Sequence, residues 1–260
     1  MDKKTTLELL HQLSRQEITP DELLRQLRLM PFDDLDFAKV DHHRLLRQGL
    51  PEAVYAPGKT SEQCALIVGN LLEKSSSPVL LTRAREDQTE EVLKSCPDGV
   101  VTPIRHSRQT LYLISWKHNP QQSHKVLIVT AGTSDQPVAD ECGAVLRAYG
   151  TEPSYLRDCG VAGIHRLFSH LDELLEADIV IVVAGMEGAL SSVVGGLVAV
   201  PIIAVPTSTG YGSGFEGITA LLAMTSSCAA GITVMGIDNG FGAAYATMRI
   251  LQGISYNKTD

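Results

Sequence analysis

Apolar residues recur at helical spacing from the start of the chain. TTLELLHQLSRQEI sets Leu7, Leu10, Leu13 and Ile18 on one face, and Thr19-Pro20-Asp21-Glu22 opens a second amphipathic segment through Leu23, Leu24 and Leu27. Two short helices forming a small appendage are predicted. Beyond them, AVYAP, PVLLT, VVTPI and TLYLISW read as strands separated by helical patterns such as SEQCALIVGNLLEK. In the second half KVLIVTAG, ADIVIVVAG, PIIAVP and GITVMGID are short Val- and Ile-rich runs ending near Gly, Pro or Asp, as strands covered on both faces do. Between them Val138, Cys142, Val145, Leu146 and Tyr149 share one helical face, and Ile164, Leu167, Leu171, Leu174 and Leu175 share another. The pattern predicts an α/β protein whose C-terminal part is a doubly wound parallel sheet, with a smaller helix-rich α/β domain before it.

Composition sharpens the division. Residues 1–120 hold 16 Lys/Arg, 17 Asp/Glu and 4 Gly, whereas residues 121–260 hold 6, 13 and 18. The polar stretch Lys117 to Lys125, with Pro120 inside it, is the predicted join, giving domains of 1–120 and 121–260. A net charge of −8 argues against a nucleic-acid partner, and no uncharged apolar run is long enough for a membrane span. The start, MDKKTTLELLHQ, lacks the apolar core of a signal peptide, so a cytoplasmic protein is expected. Five cysteines without a CxxC pair suggest neither a zinc site nor a disulfide framework.

In a parallel doubly wound sheet the chemistry lies in the loops leaving the carboxyl ends of the strands. Gly132-Thr133-Ser134-Asp135 can hold a phosphate or simply cap the following helix. Glu187, within Gly185-Met186-Glu187-Gly188, is either a general base in the crevice or a solvated first-turn glutamate. Cys228 in TSSCAAG has the local pattern of a buried small hydrophobe, and Asp238-Asn239-Gly240 that of a strand-ending turn. In the first half His42, His43, Arg44, Arg47 and Lys59 concentrate positive charge, suited to a diphosphate or to pairing with Asp41, Glu52 and Glu62.

The second half resembles aminoimidazole-ribonucleotide carboxylase of purine biosynthesis in GTSD, ADIVIVVAG and DNGFGAAYATMRIL. Where that family carries a catalytic histidine, this chain has Ala189. DHHRLLRQGLPEAVYAPGKTSEQ, AGMEGALSSVVGGL, GYGSGFEGITALLAMTSSCAAG and IDNGFGAA instead resemble the LarB family, from about residue 37 to 251. That resemblance implies carboxylation of nicotinic acid adenine dinucleotide by carbon dioxide or bicarbonate and hydrolysis of its phosphoanhydride, as the first step of nickel-pincer cofactor synthesis. It assigns Cys228 as the nucleophile and Glu187 as the base, with Gly132, Thr133, Ser134, Asp135, Gly185, Asp238, Asn239 and the basic motif as substrate-binding residues. It further implies a homo-oligomer and no tightly bound organic cofactor, and leaves room for magnesium in the anhydride cleavage. The alternatives are a purine-type carboxylase or mutase, which Ala189 opposes, and a nucleotide-binding protein without chemistry.

Overall fold

The structure, a computed structural model, describes residues 3–29, 33–42 and 44–256; His43 and the side chain of Leu27 lie outside the described part. Two units can be separated by their internal contacts, the first running to Pro103 and taking in Thr110–Asn119, the second comprising Ile104–Gln109 and the chain from Pro120 onward.

In the first unit the order is α1 (Lys3–Ser14), α2 (Pro20–Leu29), β1 (Asp33–Asp34), β2 (Lys39–Val40), α3 (Arg44–Gln48), β3 (Ala53–Tyr55), α4 (Ser61–Lys74), β4 (Val79–Ala84), α5 (Glu86–Ser95), β5 (Val100–Arg105) and β6 (Thr110–Trp116). The two amphipathic helices form, but α1 turns Leu9 inward and leaves Leu7 and Leu10 exposed. The four expected strands make one sheet in the order β3-β4-β6-β5, with β3 parallel to β4 and β4 antiparallel to β6. Helix α4 starts where Thr60 Oγ1 accepts the Gln63 amide and Gln63 Oε1 accepts the Thr60 amide, satisfying two N–H groups that a helix start leaves bare. Val68, Leu81 and Ile114 are fully buried between helices and sheet, each worth about 1.5–3 kcal/mol relative to exposure.

The second unit contains β7 (Val126–Thr130), α6 (Gln136–Ala148), β8 (Ser154–Leu156), α7 (His165–Phe168), α8 (Leu171–Leu175), β9 (Ile179–Ala184), α9 (Ala189–Gly195), β10 (Ile202–Pro206), α10 (Ile218–Thr225), β11 (Ile232–Val234) and α11 (Gly240–Tyr256). Its five strands are all parallel, in the order β11-β10-β9-β7-β8. The first strand of this unit therefore lies between the second and the third, the flavodoxin-like winding, and the direction of winding reverses between β7 and β9. All six residues of β9 are buried, which explains an uninterrupted apolar run where one-sided strands would alternate.

Three features differ from expectation. Strand β8 is only three residues long, too short for an apolar run to announce it. Strand β11 ends at Val234, so the Met235 to Asp238 part of GITVMGID is loop. The face shared by Ile164 to Leu175 is split into two helices at Ser169-His170, where His170 leaves helical geometry (φ −119°, ψ 26°); Leu167 and Leu174 are buried but Leu175 is exposed.

Candidate active site

The loops after β7, β9 and β10 meet on one carboxylate. Asp135, 2% exposed, accepts the Gly132 amide on Oδ2 (2.8 Å) and the Thr207 hydroxyl on Oδ1 (2.6 Å), and also receives the backbone N–H of Gly185. Burial pushes its carboxyl above the ordinary value, and the nearby charge of Asp238 adds to the shift. Further ties close the cluster: Thr209 Oγ1 donates to the Ser134 carbonyl (3.3 Å), Met186 N to the Thr209 carbonyl (2.9 Å), and Ser208 N to Asp238 Oδ1 (2.8 Å). Gly185 has to be glycine, because a Cβ there would sit 2.3 Å from the Thr209 carbonyl oxygen.

Asp135, Asp238 and Asn239 thus use their side chains to hold loops; Asn239 Oδ1 accepts the Gly242 amide in the first turn of α11 (2.7 Å). Thr133, Ser134 and Glu187 are exposed. Glu187 stands between Met186 (φ 55°) and Gly188 (φ 64°), both left-handed, so the backbone makes a sharp turn that lifts it from the end of β9 just ahead of α9.

Residues that the sequence reading passed over lie on the neighbouring loop after β8. Thr130 Oγ1 accepts the amides of Asp158 (3.1 Å) and of the Gln136 side chain (2.7 Å), and Asp158 Oδ2 pairs with Arg166 Nη1 at 2.5 Å. Gly160 lies against Ala131, where a Cβ would be 2.7 Å from the carbonyl oxygen. Arg166 is therefore a cation on the loop that follows β8, whose Gly160 packs against Ala131. The signal was present in the glycines and basic pair of Gly160 to Arg166, but without β8 this stretch did not count as a carboxyl-end loop.

Cys228 is the exposed one of five free cysteines; Cys64, Cys142 and Cys159 are buried and Cys96 is intermediate. This corrects the buried reading of its local pattern, since the chain between α10 and β11 turns outward. The turn is held by Ser227, whose Oγ lies 2.7 Å from Ser192 Oγ on α9 and accepts the Ala229 amide (3.1 Å). A Cβ on Gly195 would meet Ala229 Cβ at 2.7 Å, so this turn packs along the far half of α9. It then enters β11, where Ile232 pairs with Ile202 at the amino end of β10. Glu187 lies beyond the opposite end of α9. At 1.5 Å per residue, the five to eight positions from Glu187 to Ser192 and Gly195 correspond to about 10 Å along the chain axis. None of these contacts of the Cys228 turn involves Glu187 itself.

The basic motif of the first unit is dispersed. His42, 6% exposed at the side chain, points Nε2 at Asn70 Oδ1 (2.9 Å) and Asp33 Oδ2 (3.3 Å), while Lys74 and Asn70 bind Asp33 and lower its carboxyl to about 2. Arg44 bonds Gln48 (3.2 Å), Arg47 pairs with Asp41 (2.6 Å), and Lys59 donates to the Tyr55 carbonyl (2.7 Å). A shallow recess beside His42 is lined by Asp41, Glu52 and Lys74 among others, charges of both signs. It is not the purely basic cradle expected for a diphosphate.

Among the described residues no group of three or more His, Cys, Asp or Glu could hold a metal ion, and no helix is long and apolar enough to cross a membrane.

Comparison with known proteins gives two family matches. Residues 32–111 match the LarB/PurE-like N-terminal domain, and residues 125–259 match AIR carboxylase. An uncharacterized protein of Methanocaldococcus jannaschii is 40% identical over 245 residues, 92% of this chain and 94% of the relative. The domain composition is that of LarB- and AIR-carboxylase-type enzymes. Both halves of the chain, in this order and over nearly its whole length, place it in the family that joins a LarB/PurE-like N-terminal domain to an AIR carboxylase domain.

Proposed function

We propose that the protein carboxylates C5 of the pyridinium ring of nicotinic acid adenine dinucleotide and hydrolyses its phosphoanhydride, releasing AMP and pyridinium-3,5-biscarboxylic acid mononucleotide for nickel-pincer cofactor synthesis. The observation that carries this reading is the exposure of Cys228 together with that of Glu187 in a chain of this family. A buried thiol could not reach a ring, and an exposed one on a glycine- and serine-rich turn can. The pyridinium itself is too electron-poor to attack carbon dioxide. Addition of the Cys228 thiolate at C6 gives a neutral dienamine whose C5 is nucleophilic. C5 attacks carbon dioxide, Glu187 removes the C5 proton, and expulsion of the thiolate from C6 restores the aromatic cation. Water then cleaves the phosphoanhydride. No oxidant or reductant is consumed.

The reading includes a homo-oligomer, in which neighbouring protomers help to complete the pocket around Cys228 and Glu187. Thr133 and Ser134 on the Gly132 loop, with Arg166 on the loop after β8, suit the ribose phosphate. Mass spectrometry of products from nicotinic acid adenine dinucleotide and labelled bicarbonate tests the proposal. The expected result is AMP plus a mononucleotide carrying one labelled carboxylate; AMP without label would leave only a pyrophosphatase. The purine-type alternative has one specific obstacle, Ala189 at the position of the catalytic histidine.

A further inference from the structure

In the first unit, β3 and β4 are parallel neighbours, so the loop from Ala56 to Thr60 and the segment around Arg85 leave the same end of the sheet. The Ala56 amide continues the ladder to the Thr82 carbonyl (3.1 Å), and the fully buried side chain of Gln88 donates to the carbonyls of Ala56 (3.1 Å) and Lys59 (2.8 Å). A buried amide spent on two loop carbonyls fixes this loop as firmly as the core beneath it. Above that floor lies an unusual pair. Tyr55 is 51% exposed, and the guanidinium of Arg83 stands over its ring at 5.9 Å from the centroid. Arg83 reaches that place from a bulge in β4, where its backbone is left-handed (φ 56°) and the register with β6 shifts between Leu81 and Ala84.

Two more cations adjoin the pair. Lys59 uses one N–H on the Tyr55 carbonyl, and Arg85 holds Asp87 through Nε and Nη2 (2.9 and 2.8 Å). Each keeps donors for a further acceptor. Gly58, at φ 80°, has nothing within 4 Å of where a Cβ would be, so the space beside Lys59 is open. Asp87, Glu62 and Glu86 face the same end, which leaves the cluster near neutral and disfavours a large polyanion.

From this juxtaposition we infer a nucleoside monophosphate site at the carboxyl ends of β3 and β4, its base stacking on Tyr55 beside Arg83 and its single phosphate meeting Lys59 and Arg85. A flat ring matches an exposed aromatic face with a guanidinium at hand, and one phosphate matches two partly committed cations. The choice of adenine as the base rests on the proposed dinucleotide substrate; the site itself does not.

The test is calorimetric titration of the full chain with AMP, adenosine and inorganic phosphate. AMP should bind more tightly than either fragment. Tyr55→Ala, at a half-exposed position, should weaken AMP about tenfold or more while leaving phosphate unchanged, and Lys59→Met should weaken both. Arg83→Lys, which keeps charge but not the planar group, should also weaken AMP, with circular dichroism showing the fold retained. AMP affinity that is the same in wild type, Tyr55→Ala and Lys59→Met, or absent in all, overturns the inference. If AMP binding responds to these variants while no labelled carboxylate enters a dinucleotide, the site stands and the proposed reaction falls. Carboxylation with AMP binding indifferent to Tyr55 and Lys59 gives the converse.

Discussion

The hydroxyls of Ser192 and Ser227 lie 2.7 Å apart and join helix α9 to the turn that carries Cys228. Ser227 Oγ also accepts the Ala229 amide, so one hydroxyl holds both sides of the cysteine. Ser227→Ala removes both bonds at a cost of about 1 kcal/mol in stability, a small fraction of a domain's total. The turn then loses its tether to α9. Carboxylation should fall about tenfold with the melting temperature shifted by only a few degrees, and iodoacetamide should modify Cys228 at an altered rate. An unaltered alkylation rate would show that the serine pair contributes stability alone.

Cys228→Ser should abolish carboxylation and leave the fold intact, because the side chain is exposed and the change in volume is small. Cys142 provides the contrast: it is 0% exposed on α6, and burial holds its thiol far above the ordinary range. Cys142→Ser puts a hydroxyl into that apolar site and should lower stability by about 1–3 kcal/mol. Alkylating the native protein should therefore label Cys228 and spare Cys142, as peptide mapping would read.

Glu187→Gln keeps the size of the side chain and removes the proton acceptor. Adduct formation at C6 should survive and rearomatisation should slow by about a hundredfold or more. Mixed with dinucleotide and bicarbonate, this variant should accumulate a new near-ultraviolet absorbance and a cysteine-linked mass that Cys228→Ser protein never shows. Wild-type turnover would return Glu187 to the role of a solvated first-turn residue and make Asp238 the next candidate base.

Asp135 gives a prediction with a definite sign. Its carboxyl is held above 3.8 in the folded protein, so the native state keeps a proton to higher pH than the unfolded chain does. The contribution of this group is then most favourable at low pH and is lost as pH rises from 3.8 through the raised folded value. Asp135→Asn removes that dependence. The urea midpoint of the variant, relative to wild type, should rise as pH increases across this window, while carboxylation falls because one acceptor oxygen, for Gly132 or for Thr207, is gone. A constant difference in midpoint across the window would mean that Asp135 titrates as an ordinary carboxyl.

Much of this protein is local in origin. Val- and Ile-rich runs ending near glycine or proline specify buried parallel strands with helices between them, so the doubly wound class of the second unit and the place of its chemistry follow from KVLIVTAG, ADIVIVVAG and PIIAVP. Glycines at 185 and 188 marked the loop after β9 for a related reason: close approach to Thr209 demands the first and a left-handed turn the second. Side-chain direction is not local. Whether Asp135 faces a ligand or three neighbouring loops depends on Thr207, 72 residues away, and whether Cys228 is inert depends on which way a turn leaves α10. Strand β8 escaped notice because three residues cannot show a period, and with it went Asp158 and Arg166. His42 looked like part of a basic face until Asp33 and Asn70 enclosed it. The sequence alone determined where strands end and so where a site must be; the tertiary structure decided which polar groups are spent on holding loops and which remain for chemistry, because hydrogen bonds between residues distant in the chain exist only once the sheet has ordered its ends.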